Sequence, residues 1–324
     1  MASPQEIFTP IYDEMRSRNF ANIISPGMPT LAVDNNISAQ NGTDKRRCLS
    51  LYAFPKVELS SGGTEFVSAL NNSFGSDPDV VLYSPSPPED GSKLKLGDAK
   101  ASGMGVWGKL HWTLMQIQGF ADWDGVHSAT AKDTENFGRT IESYFPHSKM
   151  IKIRMCGVIA VRTGLVIVGI PDTDINDTRD KCRKRMHENP PLYPLKEPFL
   201  NDIVHSTVLR VCGGDGTGPK TTQILKIAQD FKNVYLGDAY VDKLNVGEAS
   251  WRMMDEELSR TPPMWTWKLD GEEEGTGEEK KGAGDEDVVM GNSGNCVSVC
   301  DSESSEDNAT IFGLEDVGWK RPGE

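Results

Sequence analysis

Several features that define membrane, secreted or zinc-stabilised proteins are missing from this sequence of 324 residues. No run of about eighteen apolar residues occurs, which excludes a transmembrane helix. The first residues lack a basic start followed by an apolar stretch, so no secretory signal is expected. The six cysteines are scattered without a CxxC pair, which argues against a zinc ribbon or a disulfide scaffold. We therefore expect a cytoplasmic or nuclear protein with no membrane partner.

Apolar residues are also scarce, at 37% of the chain, and the formal net charge is −14. From Asp270 to Glu324 there are 16 acidic and 4 basic residues, a net charge of −12. The totals of 48 acidic and 34 basic residues leave 32 and 30 for the first 269 residues, a net charge of −2. A body this close to neutral does not exclude a phosphate-bearing ligand.

This uneven composition predicts three parts. We also expect a monomer. Residues 1–45 are expected to form an N-terminal helical arm and a linker, and residues 46–268 an α+β domain. Residues 269–324 hold few large apolar side chains and should be a disordered acidic tail, because such a segment cannot offset the entropy of ordering. The tail is a candidate contact for a protein partner.

Hydrophobic periodicity within the body alternates between strand and helix patterns. Helices are expected over 4–20, 64–74, 131–145, 174–188 and 219–231. Strands are expected over 47–54, 80–83, 107–117, 151–161, 165–170, 203–211, 234–240 and 241–246. A strand, a helix and paired strands occur in this order twice, which predicts two similar lobes.

Each of the two repeated units begins with a His-x-Thr triplet. The first triplet is His111 to Thr113, and the second is His205 to Thr207. Residues i and i+2 of a strand point to the same face, so each strand presents an imidazole beside a hydroxyl. The triplets are distant in sequence, so they must come from different strands, which could face each other across a cleft.

Two such pairs suit in-line displacement at phosphorus. One histidine can act as base toward the attacking water while the other protonates the leaving oxygen, and either can fill each role. Thr113 and Thr207 can donate hydrogen bonds to the phosphate oxygens as negative charge builds up. This chemistry requires no metal and no cofactor.

With these triplets, the chain resembles the two-histidine (2H) phosphoesterase superfamily, which includes cyclic phosphodiesterases and ligase-T-like RNA enzymes. The resemblance covers about residues 47–251 and implies a bilobal α+β fold with two pseudo-symmetric β-sheet lobes around a central cleft. It implies a phosphoesterase that hydrolyses 2′,3′-cyclic phosphates on nucleotides or RNA ends, with His111 and His205 as the catalytic pair. The alternative is an inactive module that binds nucleotide, RNA or a protein partner.

Two positions of the second triplet strand depart from the family pattern. Ser206 replaces an apolar residue, so the back of that strand should be less buried or should pair with a polar neighbour. Arg210 matches the arginine of the family's longer form and would bind phosphate, but in a regular strand it faces away from the triplet. A bulge or the end of the strand would have to turn it inward.

Three further patterns have competing interpretations. The GGDGT string of residues 213–217 also occurs in lipid and NAD kinases, although a turn at the rim of the cleft is the simpler interpretation. The basic residues from Arg179 to Arg185 indicate a solvated helix face, with a phosphate contact as the alternative. The aromatic residues able to stack a nucleobase, a role less common than core packing, are Tyr52, Phe54, Trp107 and Phe120.

Overall fold

The structure is a computed structural model of the chain, and its elements occupy most of the expected body. It describes residues 3–24, 29–37, 43–44, 49–83, 94–95, 110–118, 131–145, 149–173, 175–188, 203–249, 251–254, 257–260 and 262–269. The helices are α1 (Pro4–Ile24), α2 (Ser61–Phe74), α3 (Ala131–Tyr144), α4 (Asn176–His187) and α5 (Gly218–Asp230).

The strands alternate with these helices along the chain. They are β1 (Leu49–Ala53), β2 (Lys56–Leu59), β3 (Val80–Leu82), β4 (Leu94–Lys95), β5 (Trp112–Gln118), β6 (Ile151–Val161), β7 (Gly164–Pro171), β8 (His205–Val211), β9 (Gly237–Val241), β10 (Lys243–Gly247), β11 (Trp251–Met254), β12 (Glu257–Arg260) and β13 (Trp265–Lys268). The expected tail from residue 270 onward lies outside the described residues.

Ten strands form one sheet that curls into an antiparallel half-barrel. Its order is β13-β10-β1-β5-β8-β7-β6-β9-β2, and β3 pairs with β8 beside this path, while β11, β12 and β4 form a separate small sheet. A mixed fold of helices and strands is thereby confirmed. The strands expected in two lobes share this one sheet, and the two triplet strands, β5 and β8, are neighbours at its middle.

The segment expected as an N-terminal arm packs on the sheet. α1 begins with a reciprocal cap in which the Ser3 hydroxyl accepts from the Glu6 amide and the Glu6 carboxylate accepts from the Ser3 amide. The Tyr12 hydroxyl donates to the Gly169 carbonyl at 2.5 Å and accepts from the Val204 amide at 3.2 Å. One stripe of the helix is buried, namely Phe8, Tyr12, Met15, Asn19 and Ile23. Through the Tyr12 hydroxyl, the helix is hydrogen-bonded both to β7 and to the segment that enters β8.

The connector after α1 also follows the sheet. The Leu31 amide donates to the Gly216 carbonyl at 2.8 Å, and the Asp34 amide donates to the Val211 carbonyl at 2.8 Å. The segment Trp265–Lys268, which composition places at the boundary of the tail, is an edge strand paired with β10. Among the described residues, no helix combines the length and apolarity that crossing a bilayer requires.

Candidate active site

A continuous row of residues crosses the middle of the sheet on one face. Asn245 of β10 is the Cα partner of Tyr52 in β1, and Tyr52 is the partner of Thr113 in β5. Thr113 in turn pairs with His205 of β8, which pairs with Val168 of β7. Since Cα partners in a sheet point to the same side, all these side chains lie on one face, here called the triplet face.

The two triplets form a compact block on the triplet face. Antiparallel pairing of Thr113 with His205 implies, two residues further along, that His111 lies opposite Thr207. The two histidines then occupy diagonal positions, for which backbone separations of about 7–8 Å are typical. His111, Thr113 and Thr207 are half-buried, whereas His205 is 7% exposed. The described register thus puts Thr113 beside His205, and its continuation puts His111 beside Thr207.

The opposite face of the two triplet strands is buried. Trp112 and Ser206 alternate with the triplet residues and are 0% and 1% exposed, respectively. The Ser206 hydroxyl donates to the His111 carbonyl oxygen at 2.7 Å. The polar neighbour expected for Ser206 is thus the backbone of the other triplet, and this hydrogen bond connects the two strands.

A register shift in β8 turns the Arg210 side chain to the triplet face, which it would not face in a regular strand. Thr207 pairs with Val166 and Leu209 with Leu165, so β8 carries one extra residue at this point relative to β7. Such a bulge inverts the alternation of side chains beyond it. Arg210 therefore lies on the triplet face, where it is 5% exposed and its Nη1 donates to the Thr163 hydroxyl.

His205 is held in its neutral form. Burial lowers the pKa of its imidazole to about 3, with smaller contributions from the positive charges of Arg210 and Arg179. A neutral imidazole near pH 7 can accept a proton but has none to release to a leaving group. The same burial makes the neutral imidazole a weak base until its surroundings change, because a general base acts best with a pKa near the working pH.

Arg179 departs from the solvated helix face expected for the basic cluster. Its side chain is 0% exposed, so that expectation is wrong for this residue, whereas Lys181 and Lys184 on the same helix are exposed. Its Nε donates to the Leu114 carbonyl, and its Nη2 donates to the Ile203 carbonyl at 2.8 Å. These carbonyls lie next to the first triplet and two residues before the second.

The GGDGT loop and the lysine that follows it make contacts within the fold. Gly216 has φ +68°, and an added Cβ would lie 1.9 Å from the Leu31 carbonyl oxygen, so the loop packs tightly on the connector. Lys220, the cation that follows the loop, contacts Asp77 at 3.0 Å and Asp79 at 2.9 Å. These carboxylates neutralise the charge that a phosphate-binding loop would use.

Of the four aromatic candidates for base stacking, two can be placed. Tyr52 is 1% exposed and meets Phe54 edge-on with a ring-centroid distance of 5.3 Å, so Tyr52 is a core residue. Phe54 is half-buried at the end of β1. Trp107 and Phe120 lie outside the described residues.

A cavity of about 310 Å³ lies between α1, α5 and the middle of β6. Arg16, Phe20 and Lys232 are among its lining residues, and neither triplet contributes to it. Within the described ranges, no cluster of three or more His, Cys, Asp or Glu side chains has a geometry suited to a metal ion.

Sequence reasoning missed two parts of the site. The buried Asn245, whose side-chain oxygen accepts from the Thr266 hydroxyl at 2.9 Å, extends the polar row of the triplet face. Strand alternation alone could not reveal it, because the pairing of β1 with β10 is nonlocal. Arg179 gave no local signal, since it lies among basic residues that are exposed.

Matches to known proteins occur among solved structures. No protein-family model and no curated protein matches the chain. Among solved structures, the crystal structure of TT0787 of Thermus thermophilus is 13% identical, with a TM-score of 0.35. The alignment covers 70% of this chain and 99% of TT0787. At this TM-score, the likeness is too weak to support a conclusion about function.

Proposed function

We propose that the chain is a metal-independent phosphoesterase that hydrolyses 2′,3′-cyclic phosphates of nucleotides or RNA ends. The observation that carries the proposal is the antiparallel pairing of Thr113 with His205, which places both His-x-Thr triplets on one face of neighbouring strands. Two imidazoles and two hydroxyls on one patch can surround a single phosphate. The two His-x-Thr motifs on which the proposal rests are also the motifs that carry the resemblance to the 2H phosphoesterases.

We assign the two histidines complementary roles as base and acid. Neutral His205 takes a proton from water, and the water oxygen forms a bond to phosphorus. The bond from phosphorus to one ribose oxygen breaks, and His111 in its protonated form donates a proton to that oxygen. The products are a phosphate monoester and a free ribose hydroxyl, and a proton exchange with solvent restores both histidines.

Thr113 and Thr207 would stabilise the developing charge. Each hydroxyl lies beside the histidine of the other strand and can donate to a non-bridging phosphate oxygen. Arg210 would add a positive charge on the same face beyond the bulge, although Thr163 already engages one of its nitrogens. We assign it a supporting electrostatic role.

The arrangement of elements also supports two related halves. β5 carries one triplet and is followed by α3 and the hairpin β6–β7, and β8 carries the other and is followed by α5, β9 and β10. The expected pairing of the last two strands is wrong, since β9 pairs with β2 and β6, and β10 with β1 and β13. The hairpin after the first triplet lies beside the second triplet strand in the sheet. We propose that these halves correspond to the pseudo-symmetric lobes of the resemblance, with the cleft on the triplet face.

Incubation of the purified full chain with 2′,3′-cyclic AMP, 2′,3′-cyclic CMP and an RNA oligomer ending in a cyclic phosphate tests the proposal. Phosphorus NMR should show conversion to a monoester in the parent and loss of turnover by at least about 100-fold in His111→Ala and in His205→Ala. Circular dichroism must show that both variants are folded. Full activity in either folded variant would refute the paired mechanism.

The second candidate is a binding module without turnover, and the 7% exposure of His205 favours it. A histidine this buried reaches substrate only if the cleft opens or the phosphate enters deeply. Calorimetric titration with the same cyclic nucleotides distinguishes the candidates, because binding without product in the parent protein would identify the module.

A further inference from the structure

Arg179 is a buried cation within a strongly charged helix. The side chain is 0% exposed, whereas Lys181 and Lys184 on the same helix face solvent. Burial of a guanidinium is costly unless its N–H donors are satisfied by well-placed acceptors. The positions of the acceptors therefore show which segments of the chain this residue holds together.

The described acceptors of Arg179 lie on three segments of the chain. Nε donates to the carbonyl oxygen of Leu114, and Nη2 to that of Ile203 at 2.8 Å. Nη1 donates to the Asn176 side chain at 2.8 Å, one turn earlier on α4. One guanidinium thus binds the backbone of β5 and that of the segment entering β8, and Asn176 orients it.

The carbonyl of Leu114 is available because of a bulge. Tyr52 pairs with Thr113 and Leu51 with Met115, so Leu114 is the extra residue that β1 does not match. An extra residue in a bulge leaves its backbone groups outside the regular ladder. Arg179 supplies a donor at this place.

The junction between the triplet strands has little backbone pairing of its own. Its described register consists of the pair Thr113–His205, whereas the β6–β7 hairpin has eight pairs between Ile153 and Val161. The hydrogen bonds of Arg179 to the Leu114 and Ile203 carbonyls therefore contribute substantially to holding the two strands at a fixed distance.

We propose that Arg179 is a positioning residue, which fixes the spacing of His111 and Thr113 relative to His205 and Thr207 by binding the Leu114 and Ile203 carbonyls together. This inference rests on the proposed phosphoesterase function for its kinetic consequence. Its structural consequence, a more rigid junction between β5 and β8, is independent of that function.

The test compares Arg179→Met and Arg179→Lys with Lys184→Met, which removes a charge from the exposed side of the same helix. In folded Arg179→Met, kcat for a 2′,3′-cyclic nucleotide should fall about 100-fold while KM changes by less than about threefold, because displacements near 1 Å cost roughly this much. Arg179→Lys should recover part of kcat, and Lys184→Met should match the parent.

Hydrogen exchange followed by mass spectrometry supplies a readout that needs no turnover. Amides of residues 110–118 and 203–211 should exchange faster in Arg179→Met than in the parent, while those of the β6–β7 hairpin should not change. Equal acceleration throughout the sheet would reveal a purely structural role and overturn the proposal, as would parental kcat in the folded variant.

The same variants also test the proposal in two further cases. If the parent has no turnover, the proposed function fails and the exchange pattern alone decides the role of Arg179. If Arg179→Met does not fold, Arg179→Lys takes its place with a smaller expected loss of kcat, since it keeps the buried charge but cannot reach both carbonyls with a planar fork of donors. Parental exchange at both strands in Arg179→Lys would then refute the proposal.

Discussion

At the scale of single residues, His205 combines a predicted chemical role with an unusual environment. Its burial and the charges of Arg210 and Arg179 lower the pKa of the imidazole to about 3. The unfolded chain, in contrast, binds a proton on this residue below about pH 6.5. Between these two pH values the unfolded state holds more protons, so acid favours unfolding.

We therefore predict that the free energy of unfolding decreases as the pH falls from about 6.5 towards 3, with a contribution from His205 of at most about 1.4 kcal/mol per pH unit. Urea titrations between pH 4 and pH 7 measure this slope. His205→Gln should have a shallower slope than the parent, because the glutamine side chain does not titrate. Equal slopes in the parent and His205→Gln would contradict the buried neutral state.

At the scale of elements, the bulge of β8 depends on close packing with the β6–β7 turn. Gly164 has φ +158°, and a Cβ placed there would lie 1.9 Å from the carbonyl oxygen of Leu209, the residue just after the extra one. An alanine would have to push this carbonyl away. The displacement would be transmitted to Arg210, which pairs with Gly164 in the sheet.

Gly164→Ala should reduce the free energy of unfolding by about 1–3 kcal/mol, the usual cost of overpacking, and should lower turnover in the folded protein. Thermal melting and steady-state kinetics measure the two effects. Gly218→Ala is the control, because Gly218 has φ +77° with no atom within 4 Å of the added Cβ. It should cost about 1–2 kcal/mol of backbone strain without changing kcat. Parental turnover in Gly164→Ala would show that catalysis does not need this bulge.

The same two strands show how far local sequence patterns extend. The triplets could be predicted because residues i and i+2 share a face on any strand, whatever its neighbours. The pairing of Thr113 with His205 was not predicted, because strand order depends on contacts between distant segments, and the two strands were expected to face each other across a cleft. The bulge that turns Arg210 inward is an insertion relative to β7, so it is defined by the partner strand and not by β8 alone.

Burial of charge was the least predictable property. Arg179 and Lys181 lie two residues apart in one basic helix, yet the first is buried and the second is exposed. The difference arises from carbonyls of β5 and of the chain before β8, which are remote in sequence. Composition averages over such neighbours and therefore predicted a solvated face for both.

At the scale of the whole molecule, charge is divided between the body and its C-terminal segment. The 55 positions from Asp270 to Glu324 carry a net charge of −12 out of −14. If the proposed activity holds, a phosphate ester would be repelled by any of these charges that lie within the range of ionic screening. Ionic strength controls how far their field reaches, because the Debye length is about 10 Å at 0.1 M salt.

If the proposed activity holds, replacing the 16 acidic residues of this segment by Asn and Gln should raise kcat/KM for an anionic substrate by up to about tenfold at low salt. The increase should come from faster association of the substrate, so kcat should not change. At about 0.5 M salt the full chain and the neutralised variant should converge, since screening removes the repulsion from both. Equal kcat/KM at every salt concentration would show that these charges do not act on the site. A difference that persists at high salt would instead indicate direct contact between this segment and the body.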